Sequence, residues 1–173
     1  MRPGSGSAPD AAGANWLDPT EQVAWRGLLD IHAQLTAVLG RELLHESGLS
    51  IQDYAVLVSL SESPSERMRV LELARKLAWE KSRLSHHIAR MVDRGLVRRE
   101  RCRTDQRGAF VVLTAHGRRT IEAAAPGHVA AVRRWFVDLL TCDEIATLAV
   151  IAGKVAAKIT ETQGGCGDAG GNS

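Results

Sequence analysis

The sequence predicts a mainly α fold: a winged helix-turn-helix with a two-stranded β wing, flanked by an all-helical region built from the N- and C-terminal helices. Three observations predict it. Apolar residues recur at helical spacing from Asp18 to Gly48 and again beyond Thr114. Between those stretches a short amphipathic helix is followed by a second one that ends at Gly95. After that glycine the pattern changes to two apolar runs, Leu96–Val97 and Phe110–Leu113, joined through a polar, glycine-ended turn at 104–108.

Residues 1–15 are rich in Gly, Ser, Ala and Pro and carry no apolar signal core, so they read as a disordered segment that does not direct secretion. Asp18 followed by Pro19 starts the first helix, with a capping side chain and a proline at the first helical position. Val23, Leu28, Ile31, Leu35 and Val38 carry it to about Leu39, and Leu43 and Leu44 extend the pattern to Gly48. Ser50 caps the next helix, with Asp53 three residues on as a weaker version of the capping box; Tyr54, Leu57, Val58 and Leu60 lead to a turn at 61–65 that contains Pro64. Val70, Leu71, Leu73, Ala74 and Leu77 form a short helix. In the helix that follows, Leu84, Ile88, Met91 and Val92 make the stripe expected to be buried. Beyond the strand pair, one helix is expected from about Ala115 to Leu140, bent at Pro126, and another from Asp143 to Ile159, with Thr141 as its cap.

These elements divide the chain into a helical dimerisation region (16–47 and 118–161), a DNA-binding domain (48–117) and a glycine-rich, disordered tail (162–173). Two helices that flank a compact module leave apolar faces uncovered, and a second copy of the chain is the economical cover.

The 173 residues suit a single domain and carry a net charge of +2, but the charge is unevenly placed. From Arg67 to Arg119 there are 15 Lys/Arg against 5 Asp/Glu, a net +10, while the remainder holds 7 against 15, a net −8. A strongly basic module on an acidic frame is the footprint of a polyanion-binding face. Three widely spaced cysteines, Cys102, Cys142 and Cys166, argue against a disulfide framework and for the cytoplasm, and no apolar run approaches a membrane span. There is no glycine-rich phosphate loop and no Gly-x-Ser-x-Gly elbow, so an enzyme is not expected. The six histidines, His32, His45, His86, His87, His116 and His128, form no cluster of metal-ligand spacing, and no cofactor is expected.

A step of about 100° per residue puts Ser82, His86, Ala89 and Asp93 opposite the apolar stripe, with Arg83 and Arg90 on one flank and Ser85 on the other. Ser82, Arg83, Ser85 and His86 lie in the half of the helix that enters the major groove in this motif. Arg107 at the wing tip is shaped for the minor groove, with Asp105 orienting it by a charge-assisted hydrogen bond. Arg98, Arg99, Arg101 and Arg103 supply phosphate contacts, which position without specifying sequence. The competing reading is a winged-helix protein-interaction module without specific DNA binding, against which the concentrated positive charge argues.

The stretch Asp93-Arg94-Gly95-Leu96-Val97-Arg98-Arg99, followed by Asp105-x-Arg107 and Leu113-Thr114-x-x-Gly117, resembles the MarR family of winged helix-turn-helix transcription regulators. The likeness extends over nearly all of 16–160 in element order. It implies an obligate homodimer on a near-palindromic operator, usually a repressor released by a small ligand or an oxidant. Two positions depart from the family pattern: Ala78 stands where a capping Ser is common before the recognition helix, and Trp79 replaces a smaller apolar residue. A ligand cleft between the dimer helices and the DNA lobe would draw on Trp16, Trp25, Arg26, His32 and Tyr54, although such aromatics also suit a core or a dimer interface. The resemblance favours an aromatic or phenolic acid there. Cys102, between Arg101 and Arg103, is the residue a redox-responsive alternative would use. The resemblance places a redox cysteine in the N-terminal helix, where this chain has none.

Overall fold

The computed structural model describes residues 15–101 and 109–164. Helix α1 (Pro19–Ser47) starts with a full capping box: the Asp18 carboxylate accepts from the Glu21 amide at 2.8 Å, and Glu21 accepts from the Asp18 amide at 2.8 Å. It stops at Gly48, whose φ of 68° is the left-handed turn that frees the chain to change direction. Helix α2 (Ile51–Ser61) repeats the device, Ser50 and Asp53 each accepting from the other's amide at 3.0 Å.

Strand β1 (Arg67–Arg69) and helix α3 (Val70–Lys76) then lead to α4 (Lys81–Asp93), β2 (Val97–Arg101) and β3 (Ala109–Leu113). The strand pair after Gly95 forms as its pattern predicts, with Val97 opposite Leu113 and Arg101 opposite Ala109. The three-residue β1, too short to show an alternation, adds an edge on the other side of β3, with Arg67 opposite Val112 and Arg69 opposite Phe110. The wing is therefore part of a three-stranded antiparallel sheet in the order β1-β3-β2.

Helix α5 (Ala115–Trp135) is capped by Thr114, whose hydroxyl oxygen accepts from the Gly117 amide at 2.9 Å and donates to the Gly95 carbonyl at 2.6 Å. Gly117 packs so closely under the end of α4 that a Cβ there would overlap the Leu96 carbonyl oxygen. The Leu113-Thr114-x-x-Gly117 motif is thus a clamp between the wing and the next helix. Pro126 lies inside α5. The helix ends at Trp135 rather than Leu140, giving way to a 3-10 turn at Val137–Leu139. Helix α6 runs from Cys142 to Gly164, past the expected Ile159, and Thr141 caps it: its hydroxyl accepts from the Glu144 amide at 3.3 Å while Glu144 accepts from the Thr141 amide at 2.8 Å.

The core lies among α2, α3, α4, the sheet and α5, where Leu57, Leu60, Leu73, Leu84, Ile88 and Val111 are fully buried. Helix α1 joins it only at its C-terminal end, through Leu39 and Leu43. Its N-terminal half and the whole of α6 leave large apolar side chains in solvent, among them Trp25, Leu28, Ile31, Leu148, Ile151 and Val155.

Candidate nucleic-acid interface

The approach to α4 is unusual. Ala78 takes a φ of 52°, a left-handed conformation that costs a residue with a Cβ about 1–2 kcal/mol. Trp79 then turns in against the core, Glu80 stands at the cap position without a side-chain capping bond, and the helix begins at Lys81. The weak cap expected from Ala78 therefore corresponds to an uncapped helix that starts two residues after Trp79.

The buried stripe of α4 consists of Leu84, Ile88 and Met91 together with His87; Val92, expected within it, is exposed. The face turned toward core and α2 is thus rotated toward His87, and the imidazole is tolerated because α2 offers it a carboxylate. On the opposite side Ser82, Arg83, His86, Ala89, Arg90 and Asp93 are exposed, and Ser85 is half-buried. Arg83 and Arg90 stand two turns apart on one flank, and neither is a free cation. The Arg83 guanidinium lies 4.9 Å from the Trp79 ring centroid, and Arg90 Nη2 donates to His87 Nδ1 at 3.1 Å. With Ser50 and Gln52 these side chains line a shallow cavity of about 250 Å³.

Asp53 anchors this arrangement from behind. It is buried, its Oδ1 lies 3.1 Å from His87 Nε2, and its Oδ2 accepts from Arg94 Nη1 at 2.7 Å. The His87 contact is an electrostatic one, since Nε2 has no aligned hydrogen-bond acceptor. Arg94 also donates to the Gly48 carbonyl at 2.9 Å, so a single residue after α4 ties the ends of α1 and α2 to it. Burial alone would raise the Asp53 carboxyl, but the contacts from His87, from the Ser50 amide and hydroxyl and from Arg94 together hold it well below the usual carboxylate range.

On the wing, Arg99 Nη2 donates to the Ser85 carbonyl at 2.7 Å and fixes β2 against α4. Arg98 is paired with Glu100, which also lies 3.5 Å from Arg67, and Arg101 is exposed at the end of β2. Arg67 and Arg69 stack over Phe110 with guanidinium carbons 4.0 and 5.5 Å from the ring centroid. Arg103, Asp105 and Arg107, and with them Cys102, lie outside the described residues. Of the basic residues on this side, Arg67, Arg69 and Arg94 were not singled out from sequence. Their presence inside the basic stretch was the available signal, but nothing in it marked a third strand or a partner for Asp53.

The five residues proposed for a ligand cleft occupy two separate places. Trp16, Trp25, Arg26 and His32 are exposed on or just before the N-terminal half of α1. Tyr54 is half-buried on α2 with its ring centroid 4.3 Å from that of His128 on α5. Burial pushes the Tyr54 hydroxyl up and the His128 imidazole down, and His128 Nδ1 is buried without a hydrogen-bond partner among the described residues. A larger groove of about 610 Å³ runs along α1 past Asp30, Ile31, Gln34, Val38 and Arg41 to Trp135 and Phe136, and none of the five lines it. Among the described residues no three His, Cys, Asp or Glu side chains are grouped to hold a metal, and no helix is long and apolar enough to cross a membrane.

Comparison with known proteins gives this geometry a context. Residues 39–124, from the last turns of α1 through the first part of α5, match the transcriptional regulator SarA/Rot family. The transcriptional regulator HosA of Escherichia coli O127:H6 is 36% identical over 104 residues, 60% of this chain and 73% of HosA. The crystal structure of AbsC, a MarR family transcriptional regulator from Streptomyces coelicolor, is similar with a TM-score of 0.80 and 45% identity, covering 86% of this chain and 99% of AbsC. Sco3205, a MarR family regulator from the same organism solved in complex with DNA, is similar with a TM-score of 0.80 and 40% identity, covering 83% of this chain and 94% of Sco3205.

Proposed function

The chain belongs to the MarR family of transcription regulators, and we propose that it is a homodimeric repressor that reads a near-palindromic operator and is released by a small ligand. The observation that carries the DNA-reading part is the outer face of α4, where Ser82, Arg83, His86 and Arg90 are exposed together beside the arginine-bearing β2. In this assignment Ser82, Arg83, Ser85, His86 and Arg90 meet base edges. Arg98, Arg99, Arg101 and Arg103 hold phosphates, and Arg107, steered by Asp105, enters the minor groove. Arg98 and Arg99 must exchange their internal partners, Glu100 and the Ser85 carbonyl, for phosphate oxygens, so part of their gain is offset.

The division into a DNA-binding unit at 48–117 and a dimerising unit at 16–47 and 118–161 accounts for the uncovered apolar surface of α1 and α6. A dimer seated across an operator occludes it, which is the physical basis of repression. For the effector, Tyr54 and His128 are the candidate contacts: an aromatic ring beside an imidazole whose Nδ1 has no hydrogen-bond partner among the described residues. An aromatic acid is the class of ligand proposed.

The test uses the best-bound duplex selected from a random pool. Arg99→Ala and Arg107→Ala should weaken binding to every duplex and lower the slope of affinity against salt. Arg83→Ala should in addition relax preference at one base pair, by about 1–3 kcal/mol. Equal loss on all sequences for Arg83→Ala would reassign that residue to phosphate.

A further inference from the structure

His87 is buried on the core side of α4, and each of its ring nitrogens faces a charged group. Nδ1 is 3.1 Å from Arg90 Nη2, and Nε2 is 3.1 Å from Asp53 Oδ1. The ring meets Trp79 edge to face, with centroids 5.4 Å apart, and Arg83 lies over the same indole. Arg94 on the second oxygen of Asp53, and Ser50 at the cap of α2, complete the charged and polar surroundings. A guanidinium can only donate, so the Arg90 contact requires an unprotonated Nδ1. The single ring proton of the neutral imidazole then sits on Nε2, on the side of the carboxylate.

We propose that His87 is a positioning residue for sequence reading: its Nδ1 holds the exposed Arg90 guanidinium in one direction, so that removing this acceptor relaxes preference at the base pair Arg90 faces. This deepens the DNA-reading function proposed above and rests on it. The ring is itself held between Asp53 and the Trp79 indole. Without the acceptor Arg90 keeps its charge for phosphates but loses the fixed direction that a bidentate contact with a base edge demands. Specificity therefore falls more than overall affinity.

The experiment compares binding of the selected duplex with its single-base-pair variants for the wild-type protein, His87→Leu and His87→Gln. Arg90→Ala identifies the base pair that Arg90 reads. His87→Leu removes the acceptor and is expected to lose about tenfold of the preference at that base pair while keeping the preferences elsewhere. His87→Gln presents an amide donor toward Asp53 and a carbonyl toward Arg90, so it should keep the preference. Unchanged preference in His87→Leu, a loss spread evenly over all positions, or a His87→Gln protein as relaxed as His87→Leu would each overturn the proposal. Should His87→Leu fail to fold by circular dichroism, His87→Met takes its place. If the wild-type protein prefers no sequence, the DNA-reading function falls as well. A motif that the acceptor-free variant reads unchanged at the Arg90 position defeats the His87 role alone.

Discussion

A methyl group at Gly117 would meet the Leu96 carbonyl oxygen, which is backbone and already accepts from the Thr114 amide. Neither partner can swing aside as a flexible side chain would. Gly117→Ala should therefore destabilise the fold by about 3 kcal/mol, read as a lowered urea midpoint with an unchanged slope; an unaltered midpoint would show that the clamp is soft. Asp53 makes a second prediction at this scale. Its carboxyl sits below the ordinary range when folded, so its contribution is present in full above about pH 5 and is lost as the pH falls through and below the unfolded-state value near 3.9. Asp53→Asn leaves His87 and Arg94 facing a neutral amide and should cost about 2–4 kcal/mol at neutral pH. The variant should also lose less stability than the wild-type protein when acidified, and equal losses in the two proteins would contradict the role given to the carboxylate. Single residues are also where sequence reasoning fell short. Val92 and His87 flank the same apolar stripe, and hydrophobicity favoured Val92; only the carboxylate brought by α2, 34 positions earlier in the chain, makes His87 the buried one.

At the scale of elements, the starts of α1, α2 and α6 were legible because capping is local, whereas α4 begins without a side-chain cap. Asp18 with Glu21, Ser50 with Asp53, and Thr141 with Glu144 each announce their helix within four residues. The glycine stops at Gly48 and Gly95 were legible for the same reason, both having positive φ. Strand β1 was not, because its pairing with β3 joins residues more than 40 positions apart, and three residues show no period. The end of α5 at Trp135 is equally non-local: Arg134 and the Trp135 indole nitrogen both donate to Glu42 on α1, at 2.5 and 2.7 Å. Helix α6 supplies the prediction at this level. Every side chain described on it is exposed although Leu148, Ile151, Val155 and Ile159 are apolar, a composition that only an association would bury. The wild-type protein should have twice the mass of the chain in solution at micromolar concentration. Ile151→Glu combined with Val155→Glu, two residues one turn apart on α6, should shift it to the monomer mass. A monomeric wild-type protein would remove the dimerising role given to α1 and α6.

For the whole molecule, the charge split is what joins fold to function. The net +10 of residues 67–119 falls on the stretch from β1 to the start of α5, and the acidic remainder falls on the segments before and after it. This division was visible in the sequence because it follows the order of the chain. The arrangement of the arginines was not, because Trp79, His87, Phe110 and Glu100 hold them through contacts that form only once the sheet and helices have packed. A two-fold dimer would present two such basic modules at a fixed separation, matched to a two-fold site on DNA. The most direct measurement is selection of bound duplexes from random DNA, followed by the stoichiometry of protein on the winning sequence. The expected result is an inverted repeat with half-sites about one helical turn apart, bound by two chains. An asymmetric site occupied by one chain, or no enriched sequence and binding that salt abolishes, would contradict it.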